Sequence, residues 1–153
     1  MKTFLKAILG GLLSLLGFSS CDIVGGMAMY GQPHADFTVK GTVSDEDGKP
    51  IEGIKTVVDS YYEWSDDAGY YYSQLDYTDT LYTDAQGKIL LTGSVFDKGK
   101  VVVTLTDVDG EENGGHFDEL VLDDLKVEKT EKGEGWYNGA YEAEFKATMI
   151  RKD

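Results

Sequence analysis

No disulfide can form within this chain, because its 153 residues contain one cysteine, Cys21. Stability therefore has to come from packing. Histidine is nearly as scarce, with only His34 and His116. A zinc site, which draws on His and Cys, lacks ligands. Nucleophilic catalysis has little to work with, and no Gly-x-Ser-x-Gly elbow is present. On the checklist of nucleophile, base and oxyanion groups, the expectation is that the chain is not an enzyme. Positive charge is also thin: 14 Lys and Arg stand against 28 Asp and Glu, a formal net charge of −14. Such acidity argues against nucleic acid as a partner and against lying flat on anionic lipid. It suits a solvated acidic surface or one that attracts cations. No apolar run reaches the roughly 20 residues that a spanning helix needs.

What is present starts at the N-terminus. Lys2 and Lys6 precede a short apolar run over residues 7–18, and small Ser19 and Ser20 lead into Cys21. This is the layout of a cleaved secretory signal. It resembles bacterial lipoprotein signals, and the resemblance implies cleavage before Cys21, a thioether-linked diacylglycerol on its sulfur and N-acylation of the new terminus. Several acyl chains anchor stably where one binds only marginally. The alternatives are an ordinary secreted chain with a free thiol and an uncleaved anchor. The expected organisation is a lipoprotein signal peptide over residues 1–20, a flexible lipid-proximal tether over 21–35 and a β-sandwich domain over 36–153. Losing Lys2 and Lys6 takes the charge of the mature chain to −16. The expected location is the bacterial cell envelope, anchored through the lipid in the outer membrane, with the periplasmic face favoured over the cell surface.

Residues 23–33 show neither helical nor strand period and include three glycines, as a tether would. From Asp36 onward the period is two. Phe37, Val39 and Val43 fall on one face, with Thr38, Lys40 and Thr42 on the other. Turn-rich segments at 45–50 and 84–87 separate β-branched and aromatic runs at 54–62, 78–82 and 88–92. Residues 101–108 give the strongest strand signal and 121–128 a weaker one. The last run alternates Tyr141, Ala143, Phe145, Ala147 and Met149 against Glu142, Glu144, Lys146 and Thr148. About seven short strands between turn signals, with no helical period after the signal, predict an all-β, Ig-like or transthyretin-like sandwich of antiparallel strands.

Gly41, Val43, Asp45, Gly48, Pro50 and Gly53 occur in an order that resembles the carboxypeptidase regulatory-like, or transthyretin-like, domain. That family opens with a Gly-x-Val strand and an Asp-x-x-Gly-x-Pro turn. Residues 83–89, Thr-Asp-Ala-Gln-Gly-Lys-Ile, resemble its second signature. The match covers residues 37 to about 93 and is interrupted by a Tyr-rich insert. It implies a fold with no activity of its own. The whole chain also resembles radical S-adenosylmethionine-associated lipoproteins of Bacteroidetes-type bacteria, through the signal, the Val39-Lys40-Gly41 opening and residues 107–117. That resemblance implies a genomic association, and a radical S-adenosylmethionine enzyme as a candidate partner.

Two constellations are candidates for binding. Asp107, Asp109, Glu112 and Asn113 bring oxygen ligands close together around Gly110. The spacing fails as an EF-hand, since Leu105 and His116 fall where ligands belong. It reads either as a looser calcium site, the one cofactor the sequence suggests, or as a long acidic turn. The second constellation is aromatic. Eight of the twelve Tyr and Trp residues lie between positions 61 and 82. Trp64, Tyr70, Tyr71 and Tyr72 could stack on a glycan or anchor an envelope protein; equally, several could complete the core. The functional expectation is a non-catalytic, lipid-anchored binding or structural accessory module. The rivals are a substrate modified by a neighbouring radical S-adenosylmethionine enzyme and a carbohydrate-binding accessory lipoprotein.

Overall fold

The structure is a computed structural model that describes residues 32–123 and 125–152. The expected signal peptide, Cys21 and most of the expected tether lie outside the described residues. Eight strands follow in order: β1 (His34–Ser44), β2 (Lys55–Ser65), β3 (Tyr71–Tyr82), β4 (Lys88–Val95), β5 (Lys100–Thr106), β6 (Leu120–Leu122), β7 (Val127–Glu134) and β8 (Tyr137–Thr148). They form two four-stranded sheets, ordered β4-β1-β8-β7 and β3-β2-β5-β6. The fold is an all-β sandwich.

Alternation explains the core. β1 buries Ala35, Phe37, Val39 and Val43, and β8 buries Tyr141, Ala143, Phe145 and Ala147, all from one face of their sheet. Val58 of β2 and Val101, Val103 and Leu105 of β5 meet them from the other sheet. Side chains from the two inner faces interdigitate in this way in sandwiches generally. The intervening polar positions face water.

Three features differ from the sequence expectation. There are eight strands rather than about seven, because the weak signal near residues 121–128 resolves into β6 and β7. β7 is almost wholly exposed and carries Glu, Lys and Thr on both faces, so it shows no apolar period. The sandwich is also not purely antiparallel. β1 and β8, the first and last strands, pair in parallel, with Phe37 beside Tyr141 and Val39 beside Ala143. Finally, β1 starts at His34, so the last two positions assigned to the tether belong to a strand.

The turns repeat one device. At Asp45, Asp66 and Asp84 the sequence reads Asp-x-x-Gly. In each case the aspartate N–H donates to the carbonyl four residues on, and the glycine N–H donates back to the aspartate carbonyl. One carboxylate oxygen then accepts the N–H groups two and four residues ahead, at 2.8–3.0 Å. Gly48, Gly69 and Gly87 close these turns with φ of 79°, 83° and 67°, the left-handed geometry in which glycine avoids a Cβ clash.

Candidate functional site

The Tyr-rich insert is the β2–β3 hairpin, and it overhangs the sandwich. β5 pairs with β2 only from Lys55 to Tyr61. Beyond that point residues 62–65 pair with β3 alone, and the ribbon closes through the Asp66 turn. The register steps by one residue at Asp76, which sits between the pairs Ser60–Tyr77 and Tyr61–Leu75. The Asp76 carboxylate accepts the Phe96 N–H at 2.6 Å, tying the step to the segment after β4. Nearer the core, Tyr77 meets Phe37 edge to face at 6.2 Å.

The step keeps Tyr62, Trp64 and Tyr72 on the inward-facing side of the ribbon, past the end of the core. Trp64 stands opposite Tyr72 across the two strands. The two rings stack at 5.4 Å with 16° between their planes. Tyr62 stacks on the other side of Trp64 at 5.4 Å and 22°, and Phe96 closes the row edge-on to Tyr62 at 4.9 Å. Such ring pairs each add about 0.5–1.5 kcal/mol beyond area burial. They explain how a two-stranded extension, marginal by itself, holds its shape. The row is nonetheless accessible: Trp64 is 37 % exposed and Tyr72 41 %. A groove of about 330 Å³ runs beside it, lined by Gln32, Tyr62, Trp64, Gln74 and Phe96 among others.

Polar contacts lock the tip. The Tyr72 hydroxyl donates to Asp66 Oδ2 at 2.9 Å. The Tyr70 N–H, the Tyr72 hydroxyl and further backbone donors hold the Asp66 carboxyl below the usual carboxylate range. The same hydroxyl bond raises the Tyr72 phenol. On the opposite face, a hydrogen bond to Glu63 raises the Tyr71 phenol, and Lys98 and Lys100 line a shallow groove beside it.

Of the four aromatic residues singled out in the sequence, the structure thus brings two together. Trp64 and Tyr72 form the row. Tyr71 points to the other face, and Tyr70 lies in the turn with 68 % of its surface free. Sequence reasoning missed Phe96, which reaches the row from a separate segment. Tyr62 was legible through its two-residue spacing from Trp64.

The acidic candidate has a different geometry. Asp107-Val108-Asp109-Gly110 is a further Asp-x-x-Gly sequence, and Gly110 again has positive φ, 69°. Asp107 Oδ1 accepts the Asp109 and Gly110 N–H groups, and Oδ2 accepts the Phe117 N–H at 2.9 Å. Burial pushes this carboxyl up, but the hydrogen bonds from Phe117, Asp109 and Gly110 outweigh burial and leave it lowered. Both oxygens are committed to backbone donors. Glu112 is exposed in a short 3-10 turn, and the Asn113 side chain lies outside the described residues. Among the described residues, no three His, Cys, Asp or Glu side chains are grouped to hold a metal ion. Asp107→Ala is expected to cost about 1–3 kcal/mol by orphaning these donors, read as a lower melting temperature. Millimolar calcium should leave the wild-type melting temperature unchanged; a rise would show that the loop binds the cation.

No family model matches the chain, and no curated protein matches it. Solved structures similar to it include 3-chlorocatechol 1,2-dioxygenase from Rhodococcus opacus 1CP, at 14 % identity and a TM-score of 0.45, covering 76 % of this chain and 60 % of that one. The dioxygenase domain of a dioxygenase carbohydrate-binding protein fusion from Streptomyces sp. SirexAA-E matches at 18 % identity and a TM-score of 0.43, over 79 % of this chain and 83 % of that one. Catechol 1,2-dioxygenase from Pseudomonas arvilla C-1 matches at 12 % and 0.44, over 99 % and 69 %. This chain therefore spans less than two thirds of the first of them. These neighbours are enzymes, which corrects the expectation that the chain is not one. That expectation rested on scarce histidine and a missing nucleophile elbow, which speak to hydrolases and leave other reaction classes open. At these scores the likeness carries no particular activity to this chain.

Proposed function

We propose that the chain is a lipid-anchored cell-envelope protein serving as a binding or structural accessory module, with the β2–β3 overhang as its contact surface. The observation that carries this reading is the row Tyr72–Trp64–Tyr62–Phe96, pre-stacked beyond the core and open on one side. Side chains held rigid before contact lose little entropy on binding, and Trp and Tyr are the residues in which binding energy concentrates. The anchor rests on the sequence pattern through Cys21, and an outer-membrane location with the sandwich on the periplasmic face fits that pattern.

The test is capture from the solubilised envelope of the native host by the full lipidated chain. Trp64→Ala combined with Tyr72→Ala should reduce recovery of a specific partner by about tenfold or more, the loss of one hot spot. Its circular dichroism should stay that of a folded sandwich. Recovery equal to wild type would contradict the assignment. A glycan occupant is the second reading, favoured by the groove of about 330 Å³ that Tyr62, Trp64 and Phe96 line together with Gln32 and Gln74. It predicts quenching of Trp64 fluorescence by a soluble glycan with no protein recovered.

A further inference from the structure

The outer edge of the overhang has its own chemistry. β3 lies at one end of its sheet and has a strand neighbour on one side only. An edge strand turns alternate N–H and C=O groups outward, ready to pair with another chain. The other edges are guarded in recognisable ways. β6 has three residues. β7 carries Lys129, Lys132 and a register break. β4 begins at Lys88 and is approached by β3, where the Tyr77 ring covers Gly93. β3 has twelve residues with no lysine, arginine or proline. Below the Asp76 step, residues 71–75 pair with β2 and with no other strand.

Charge selects the occupant. Residues 56–87 contain seven acids and no Lys or Arg. Asp66 and Asp67 stand at the tip of the ribbon, and Asp76 at its base. Lys98 and Lys100 share a groove with Tyr71 and Glu63, but Lys100 belongs to β5 and so lies across β2 from the open edge. Tyr70 and Tyr71 expose about two thirds of their surfaces at the same end, and aromatic faces attract ammonium and guanidinium groups. A second copy of this hairpin would bring the acids of residues 56–87 and no Lys or Arg to the edge. We infer that residues 71–75 of β3 accept an extended Lys- or Arg-bearing segment of a partner as an added strand, with backbone pairing supplying affinity and the acids and tyrosines selecting cations.

This deepens the reading of the overhang as a contact surface, and its test is separate from that of the aromatic row. Hydrogen exchange is followed on the full lipidated chain in detergent with three synthetic nine-residue peptides. One alternates Lys and Thr, one alternates Glu and Thr, and one is the Lys peptide with every backbone amide N-methylated, which removes the donors from both of its edges. The Lys peptide should slow exchange at residues 71–75 by about tenfold, and the other two should not. Asp67→Lys, at an exposed turn position, should weaken the protection about threefold. Equal protection by the N-methylated peptide would reduce the effect to charge and overturn strand addition. So would no protection by the Lys peptide, or peptide-independent protection that rises with protein concentration and marks a second copy on the edge. Loss of capture by the Trp64 and Tyr72 variant, with this protection intact, would show the two surfaces acting independently.

Discussion

Thr83→Val is expected to destabilise the domain by about 3 kcal/mol, although it keeps the side chain's shape almost unchanged. Thr83 is 3 % exposed. Its hydroxyl donates to the Ile51 carbonyl at 2.7 Å and accepts the Ile54 N–H at 3.0 Å. The Thr83 backbone adds bonds to Gly53 and Ile54, so one residue staples the loop that leads into β2. Valine would leave a buried donor and a buried acceptor without partners, at about 1–3 kcal/mol each. The melting temperature should fall by roughly 10 °C for a domain of this size. Thr83→Ser keeps both bonds and loses one methyl group, and should cost only about 1 kcal/mol. If the two variants melt together, the hydroxyl is not the staple.

Gly41→Ala has the second large effect, and its cause lies across the sheet. A Cβ built at Gly41 would fall 2.2 Å from Phe145 Cζ and 2.4 Å from Cε1. Phe145 is on β8, paired directly with Gly41 of β1, and its ring lies over the glycine where a side chain would otherwise be. Alanine would have to displace a ring that is 7 % exposed. Overpacking of this kind costs about 1–3 kcal/mol. In a Phe145→Ala background the space is free, and the cost of Gly41→Ala should drop below about 1 kcal/mol, giving a coupling measurable in a double-mutant cycle. Equal costs in both backgrounds would mean that the ring does not dictate the glycine.

Both residues were visible in the sequence as parts of short signatures, while their reasons were not. The Gly-x-Val opening gave no hint that its glycine answers an aromatic ring 104 positions away. What reads well from sequence is local: β8's alternation, the apolar run of β5 and the Asp-x-x-Gly turns. What reads poorly depends on distant pairing or on polar edges. The parallel contact of β1 with β8 leaves no local trace. β7 shows no apolar period because its residues after Val127 are exposed. The acidic candidate at Asp107 reads two ways in sequence, as a cation loop or an acidic turn, because a carboxylate that accepts backbone N–H groups and one that binds a cation use the same residues. What the structure adds is the backbone donors on both Asp107 oxygens, a bonding pattern like that of the three other turns. At the candidate site, Trp64 and Tyr72 were legible as a cluster. Their stacking depends on the register step at Asp76, and Phe96 reaches them from another segment, so neither could be read locally.

The most direct test of the overhang as a contact surface is photo-crosslinking in the living envelope. A photoreactive phenylalanine analogue replaces Tyr70 at the exposed hairpin tip, and in a parallel strain it replaces Lys132 on the opposite sheet's edge strand, β7. A contact surface on the overhang predicts a discrete crosslinked species from position 70 on illumination, absent from position 132 and lost when Trp64→Ala and Tyr72→Ala are added. The same species from both positions, or none from position 70, would contradict it.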